Sequence, residues 1–573
     1  MRRLIFVAAL AGCAGRDTNA GPSFETLCAD YWDWQMRSSP EWATYEGDAR
    51  MNGRLSDIGP SDREARHLAL NHFMARIDDV TRGELDRPHR LSYDVLRRQL
   101  LMSLEDEQHK FWQWDVDPLD GPQVTFFQLI AIQPLRNERD AIDLAARLSA
   151  FPAYLRTYMQ NLREGIAQKR VAPKVVVARV VKQLDDILAK PTDESPLMAA
   201  VKKLAEQKSE YEFACRGSIK IAIRNAFADL RRFLAEEYPA RDEVGLGSLP
   251  GGLDAYRFRC RHHTTTDLTP EQIHKIGLDE LLTIELEMAA IAGRLGHDGD
   301  VASFIAKVKA DPANYRTTRD DLLELYRSSL AKSEALLPKW FGRLPKHPCK
   351  VKPIEEYREK DAPTAYYYSA DPKHTRDAYF YANTYMPETR PAYSAMALTV
   401  HEAVPGHHFQ IAIAQEIEGL PEFRRHASST AFVEGWALYC ERLADEMGLY
   451  ATDLDRFGML SYQAWRACRL VVDTGLHAMG WSREKAIRFM CDHVADSEAN
   501  LTNEVDRYIT WPGQATAYKI GQREILALRA TARRELGSRF DIREFHDVVL
   551  GNGPLPLPIL RTQVDEWILR RKS

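Results

Sequence analysis

The stretch that organises this sequence is residues 399–416, TVHEAVPGHHFQIAIAQE. It contains a His-Glu pair, His401 and Glu402, then a Pro-Gly break, and then two more histidines, His407 and His408. Three imidazoles and a carboxylate this close together are typical of a metal-dependent hydrolase. An apolar run with helical spacing follows them, so the site is expected on helical structure.

The spacing of these histidines is unusual. In the common zinc-peptidase helix two histidines four residues apart bind one zinc ion, and the Glu between them is the general base. Here the residue four positions after His401 is Pro405, which cannot be a ligand. On an unbroken helix His407 faces the wrong way, and His408 lies roughly 10 Å along the axis. Because Pro405 and Gly406 disfavour a regular helix, we expect a kink or bulge that restores the usual geometry for His407.

A second helical segment, FVEGWALYCERLADEMG, spans residues 432–448 and carries Glu434. In zinc peptidases of the gluzincin type, a Glu from a second helix is the third ligand and water takes the fourth position. We therefore predict a zinc site formed by His401, His407 and Glu434. Glu441 lies on the same face of this segment, where it is a candidate for holding one of the ligands in place.

The composition is that of a globular protein. The chain has 573 residues, of which 45% are hydrophobic and 28% charged, so several folding units are expected. The net charge of −5 is small for this length, and nothing in it suggests nucleic acid as a partner. The cysteines are scattered without a Cys-x-x-Cys pair, so neither a thiolate zinc cluster nor a disulfide framework is indicated.

The N-terminus has the pattern of an export signal. Arg2 and Arg3 precede the apolar run LIFVAALAG, which is too short to span a bilayer. The run ends in Leu-Ala-Gly-Cys, which resembles a bacterial lipobox and implies lipidation of Cys13. Residues 14–22 would be the tether. The resemblance implies an exported protein of the bacterial cell envelope, anchored by lipid and facing the periplasm.

The remaining chain is predicted to be mainly α-helical. Periodic segments fill residues 23–245, and a Gly- and Pro-rich stretch separates them from a catalytic region, residues 246–573. Thr269 followed by a proline is a helix start. Residues 350–385 have a composition typical of β-strands and predict a small sheet beside the helix that carries the histidines. Asn383 in this segment is a candidate for anchoring a peptide backbone.

Four motifs resemble those of the bacterial family known as domain of unknown function 885. They are HExxPGH from His401, EGWALY from Glu434, DTGLH from Asp473 and PGQAxxYKxG from Pro512. That family is grouped with metallopeptidases of the zincin clan, near the thimet-oligopeptidase and angiotensin-converting-enzyme types. The resemblance implies a two-lobed helical zincin-like fold around a deep channel. In the family the residue after Gly-His need not be histidine, which favours His407 over His408 as the ligand.

The downstream motifs supply further candidates. Asp473 and His477 are four residues apart on a predicted helix, so the carboxylate can orient the imidazole. Arg466 and Arg469 lie just upstream and could pair with acids or with a substrate carboxylate.

The last motif provides the candidate for oxyanion stabilisation. In the related peptidases a tyrosine at this distance hydrogen-bonds the oxyanion of the tetrahedral intermediate, and the resemblance assigns that role to Tyr518, aided by His477. Gln514 and Lys519 of the same motif are candidates for binding the substrate.

These observations predict a zinc-dependent hydrolase, with one zinc ion per chain and a peptide or oligopeptide as substrate. Glu402 would take a proton from the metal-activated water and pass it to the leaving amine. Two alternatives stay open: a metal-dependent esterase or amidase on the same scaffold, and a non-catalytic, lipid-anchored binding protein. The sequence leaves the substrate, its cleavage preference and the oligomeric state undecided.

Overall fold

A computed structural model describes residues 20–207, 209–356, 359, 362–370 and 377–573. Cys13, the predicted lipidation site, lies outside the described residues. Among the helices of the described ranges, none is both long and apolar enough to cross a bilayer.

The first part of the chain is helical, as the periodic segments predict. Two π-helical turns, Ser218–Ile223 and Phe233–Glu237, flank the last of its helices. The helices are α1 Ala20–Ser38, α2 Pro40–Tyr45, α3 Pro60–Asp78, α4 Arg87–His109, α5 Pro122–Ile132, α6 Glu138–Ala167, α7 Lys174–Ala189, α8 Met198–Glu206, α9 Glu212–Gly217 and α10 Arg224–Arg232.

The second part holds the long helices that build the site. The predicted start at Thr269 is confirmed, since its hydroxyl and the side chain of Gln272 form a reciprocal capping box. The helices are α11 Gly252–Thr264, α12 Pro270–Arg294, α13 Val301–Ala310, α14 Arg319–Trp340, α15 Ala395–Glu402, α16 His407–Gln415, α17 Glu422–Arg425, α18 Thr430–Glu446, α19 Asp453–Ala478, α20 Arg483–His493, α21 Glu498–Thr510, α22 Ala517–Leu536, α23 Ile542–Leu550 and α24 Leu557–Lys572.

A small three-stranded sheet forms in the segment with β-rich composition. Its strands are β1 Cys349–Pro353, β2 Ala365–Tyr368 and β3 Ala378–Ala382, in the spatial order β1-β3-β2. Strand β3 pairs parallel to β1 and antiparallel to β2. Strand β2 contacts α15 and α16, so the sheet lies beside the histidine stretch. The mainly helical fold with a small sheet is therefore confirmed.

The centre of the molecule is α19, which is buried along nearly its whole length and packs on α12. Helices α18 and α22 cross closely because Gly435 and Gly521 lie against each other, and a Cβ at Gly521 would come within 1.8 Å of a backbone oxygen on α18. One hydrophobic core includes residues from both sides of the predicted boundary at residue 245. That boundary stays a prediction.

Candidate metal centre

The histidine stretch is two helices rather than one kinked helix. Helix α15 ends at Glu402 and α16 begins at His407. Between them Ala403 and Gly406 have non-helical ψ angles of −106° and −127°. A Cβ at Gly406 would lie 2.0 Å from the carbonyl oxygen of His401, so only glycine fits there. The expected distortion at Pro-Gly is therefore a complete break.

Side chains from two other helices hold the break in place. The Ser333 hydroxyl on α14 donates to the carbonyl of Val404 at 2.7 Å. The indole N–H of Trp436 on α18 donates to the carbonyl of Pro405 at 2.8 Å. These bonds satisfy carbonyls that leave the helical ladder at the break. They also fix α18, which carries Glu434, against the two histidine helices.

The three predicted ligands meet at this point. Nε2 of His401 lies 3.8 Å from Oε2 of Glu434, and Nε2 of His407 lies 3.4 Å from the same oxygen. One donor atom from each residue falls within 4.8 Å of the other two. The imidazole rings are nearly perpendicular, at 88°. Three donors at these separations can converge on a single divalent ion.

Glu441 holds the first histidine. Its Oε1 lies 2.8 Å from Nδ1 of His401, and the carboxylate is fully buried. Gln463 donates to its other oxygen at 2.9 Å. Burial raises the pKa of Glu441 to about 7. With Nδ1 donating to Glu441, Nε2 of His401 is directed towards Glu434.

The charges of the cluster favour a cationic ligand. Burial and the nearby charge of His407 hold the pKa of His401 well below its usual value, which keeps the imidazole neutral. Burial alone would raise the pKa of Glu434, but the charge of His407 outweighs it and sets the pKa at about 2. A neutral His401 and an ionised Glu434 are the protonation states that bind metal. The charge of Glu434 outweighs burial and raises the pKa of His407, so His407 must lose its proton when an ion binds.

Glu402 lies beside the cluster and is partly buried. Burial raises its pKa, while the charges of His407 and Arg466 and a hydrogen bond from the Tyr367 backbone oppose that rise. Strand β2, which contains Tyr367, thus contacts the predicted general base.

Tyr518 lies at the same site, on α22. Its side chain is almost buried, and the guanidinium of Arg469 lies over its ring, 4.3 Å from the ring centroid. Burial and the charge of Glu434 raise the pKa of Tyr518, so the phenol stays protonated. Gln514 donates to the phenol oxygen at 3.4 Å. The structure therefore brings Tyr518 and Gln514 together near Glu434.

His408 is turned away from the cluster. Its Nδ1 accepts from the hydroxyl of Tyr367 at 3.1 Å, and its Nε2 bonds to the carbonyl of His347 at 3.0 Å. Both ring nitrogens are engaged by Tyr367 and His347, so His407, not His408, is the second histidine that faces Glu434.

The expected pairing of Asp473 with His477 is not formed. Nδ1 of His477 accepts from the backbone N–H of Leu246 at 3.0 Å, and Nε2 bonds to the carbonyl of Tyr508 at 2.9 Å. Asp473 instead accepts from the Tyr256 hydroxyl at 2.6 Å. Since both of its ring nitrogens are used by backbone groups, His477 stabilises the fold and has no nitrogen left for an oxyanion.

Asn383 also differs from its predicted role. It is fully buried, and its amide donates to backbone carbonyls, the closest being that of Glu359 at 2.7 Å. Its side-chain oxygen accepts from the N–H of Tyr385 at 3.0 Å. The side-chain N–H groups and the oxygen of Asn383 are therefore all bonded within the loop around the sheet, so Asn383 is not placed to anchor a substrate.

Lys519 is buried behind the cluster rather than at a substrate surface. Its ammonium donates to Gln463 at 2.8 Å and to Gln522 at 2.7 Å. Burial lowers the pKa of Lys519 to about 7. Because Gln463 also bonds Glu441, Lys519 belongs to the polar network that supports His401.

Comparison with known proteins places the chain in a family. A family model described as bacterial protein of unknown function, DUF885, matches residues 40–564. The chain belongs to the DUF885 family. A search of curated proteins gave no significant match.

Two solved structures resemble this DUF885 protein along their whole length. A candidate lipoprotein from Colwellia psychrerythraea is 26% identical with a TM-score of 0.90, over 97% of this chain and 100% of its own. A candidate lipoprotein of unknown function from Shewanella oneidensis is 20% identical with a TM-score of 0.76, over 94% and 99% of the two chains. The second likeness supports the fold alone.

Sequence reasoning missed the residues that support the site of this DUF885 protein. Trp436, which fixes the break, is part of the motif of Glu434 but had no role assigned. Gln463 lies on α19, a helix whose sequence is mostly apolar with polar residues at helical spacing. Such polar residues in a buried helix were a usable signal, since they need partners inside the protein.

Proposed function

We propose that this protein is a zinc-dependent hydrolase, most specifically a peptidase of the zincin-like, gluzincin type. The observation that supports the proposal is the convergence of His401, His407 and Glu434, with Glu402 next to them. Two histidines and one carboxylate are the ligand set of zinc peptidases of this type.

The contact between His401 and Glu441 also fits zinc. Nδ1 of His401 is held by Glu441, the arrangement that orients a metal-bound histidine. A bound zinc ion would act as a Lewis acid and lower the pKa of a water molecule.

Glu402 is the residue proposed to move the proton. Its carboxylate is partly buried, so its pKa is raised and its affinity for a proton is increased. The carboxylate would accept a proton from the attacking water and deliver it to the leaving amine. Strand β2 fixes its orientation through the Tyr367 backbone.

Tyr518 is the residue proposed to stabilise the oxyanion. Gln514 donates to the phenol oxygen, which leaves the phenol hydrogen to be donated elsewhere. The raised pKa keeps that hydrogen on Tyr518 at neutral pH. A preorganised donor beside the reacting carbonyl lowers the barrier more than a mobile one.

We also propose that the protein is exported and held by lipid at the bacterial cell envelope, facing the periplasm. The lipobox-like sequence ending at Cys13 supports this, and so does the Colwellia psychrerythraea structure described as a candidate lipoprotein. Labelling with a radioactive fatty acid tests it, since wild type should incorporate label and Cys13→Ala should not.

The decisive test of the activity compares Glu402→Gln with wild type on matched peptides, amides and esters. We expect wild type to hydrolyse peptides, and Glu402→Gln to retain the fold and zinc while kcat falls about 10²- to 10⁴-fold. Glu418→Gln, at an exposed position beyond α16, is the control and should behave as wild type. An undiminished kcat in Glu402→Gln removes it as the base, and hydrolysis of esters alone favours the esterase alternative.

A further inference from the structure

Two arginines on α19 lie close to the candidate metal centre. Arg466 and Arg469 are three residues apart, on neighbouring positions of one helix face, and each is only 6% exposed. Buried guanidinium groups normally use most of their five N–H donors in hydrogen bonds. Arg466 and Arg469 use fewer of theirs.

Arg466 is the less satisfied of the pair. Its Nη1 donates to the Tyr462 carbonyl at 3.5 Å, the outer limit for a hydrogen bond. Its Nε is buried and has no partner within the described part of the chain. Its Nη2 lies 3.7 Å from Oε1 of Glu441, the oxygen already bonded to His401. The rings of Tyr462 and Trp465 lie against the guanidinium, with centroids 4.7 and 5.4 Å from its carbon. Its hydrogen bonds are nevertheless few, and an anion between the arginines would complete them.

Arg469 adds positive charge at the same place. It donates to the Tyr508 hydroxyl and to Glu504, each at 2.9 Å, but its Nη1 is buried without a partner in the described ranges. Glu504 is shared, because Arg507 donates to it as well. One carboxylate therefore serves two arginines, and Arg469 retains a buried N–H donor to which a substrate anion could bind.

Both arginines lie beside residues of the candidate site. Arg466 reaches Glu441, which in turn holds the ligand His401. Arg469 lies over the ring of Tyr518, with its guanidinium carbon 4.3 Å from the ring centroid. An anion bound by the pair would lie beside the candidate metal centre.

We propose that Arg466, supported by Arg469, is the receptor for a carboxylate of the substrate. The inference rests on the proposed peptidase function and narrows it to peptides that carry a carboxylate close to the cleaved bond. The carboxylate is either the free C-terminus, in which case short C-terminal fragments are released, or an acidic side chain. Guanidinium binds carboxylate through two parallel hydrogen bonds, which makes arginine well suited to this task.

Binding of three probes to zinc-loaded Glu402→Gln tests the proposal. The probes are N-acetyl-trialanine as the free acid, the same peptide as its C-terminal amide, and an amidated peptide of equal length ending in glutamate. Isothermal titration calorimetry should show the free acid binding about 10- to 100-fold more tightly than the trialanine amide. Tight binding of the glutamate peptide identifies a side-chain carboxylate as the ligand instead.

Substitution of the receptor provides the second arm. Arg466→Gln should reduce the preference for the carboxylate probe towards unity. Arg466→Lys should retain part of the preference, because the positive charge remains but the two parallel N–H donors of the guanidinium are lost. Arg456→Gln, on the same helix but paired with Asp445 at the surface, is the matched control and should keep the preference. Thermal melting of each variant establishes that it is folded.

The outcomes separate the two proposals. Equal binding of all three probes, or a preference for a carboxylate probe that persists in Arg466→Gln, overturns the receptor. Selective carboxylate binding that depends on Arg466 supports it, even if wild type hydrolyses no peptide and the proposed activity fails. Hydrolysis of peptides without any preference for a carboxylate leaves the activity intact and overturns the receptor alone.

Discussion

Nδ1 of His401 lies 2.8 Å from Oε1 of Glu441, and both side chains are buried. A carboxylate behind a histidine fixes both the tautomer and the orientation of the ring. This contact directs Nε2 of His401 towards Glu434, and it gives the fully buried Glu441 on α18 a partner.

Glu441→Gln should weaken zinc binding about 10- to 100-fold, because the amide accepts the same N–H bond without the negative charge. Competition with a chelator of known zinc affinity measures the effect. Glu446→Gln is the control on the same helix, since Glu446 is 45% exposed and pairs with Arg529. Equal zinc affinity in Glu441→Gln and wild type would show that the contact with His401 does not act on a metal.

Tyr518→Phe should lower kcat about 10²- to 10³-fold with a smaller effect on KM, because the phenol hydrogen is proposed to act mainly in the transition state. Zinc content should be unchanged. Steady-state kinetics on the best peptide substrate measures both constants. If KM rises while kcat is unaffected, Tyr518 binds the ground state and is not the oxyanion donor.

Gly406→Ala should destabilise the protein by about 1–3 kcal/mol, since the new methyl group would collide with the carbonyl oxygens of Val400 and His401. Loss of zinc should accompany it, because the break positions His407. Urea unfolding and metal analysis measure the two effects. Gly293→Ala on α12 is the matched control: a Cβ there meets nothing within 4 Å, so stability should rise slightly. A Gly406→Ala protein as stable as wild type would contradict the structural role of the break.

His477 predicts a specific dependence of stability on pH. Burial lowers the pKa of His477 from 6.5 to about 4. The folded pKa is below the unfolded one, so the stabilisation is complete above pH 6.5 and is lost as pH falls through about 4. Relative to His477→Gln, which cannot titrate, wild type should lose about 2 kcal/mol between pH 7.5 and pH 5.

Urea titrations of both proteins at the two pH values measure this difference. His477→Gln will be less stable at neutral pH, so the relevant quantity is how far the gap closes on acidification. A gap that stays constant would mean that His477 titrates in the folded protein as it does in the unfolded chain.

The sequence was sufficient to predict which residues converge at the candidate metal centre. It did not indicate which polar residues of the motifs form hydrogen bonds within the fold instead. His401, His407 and Glu434 were predictable because metal ligation requires particular residue types, and the Pro-Gly pair signalled the break between the two histidines. The sheet followed from the composition of residues 350–385. Each of these signals lies within one short stretch of sequence: the histidine stretch, the motif of Glu434, or residues 350–385.

The misassigned residues are polar groups whose partners are distant in sequence. His477 bonds to the backbone of Leu246, and Asn383 to loop carbonyls around the sheet. The helical spacing of Asp473 and His477 allowed a contact, but tertiary packing gave each a different partner. A polar residue in a motif thus predicts a buried hydrogen bond more securely than it predicts contact with a substrate.

Zinc analysis by emission spectroscopy tests the central proposal most directly. Purified wild type, loaded with zinc and dialysed, should retain about one ion per chain, while Glu434→Ala and His401→Ala should retain almost none. Glu446→Ala should retain as much as wild type. Wild type without bound zinc, or Glu434→Ala that binds it equally well, would contradict a metal site formed by these three residues.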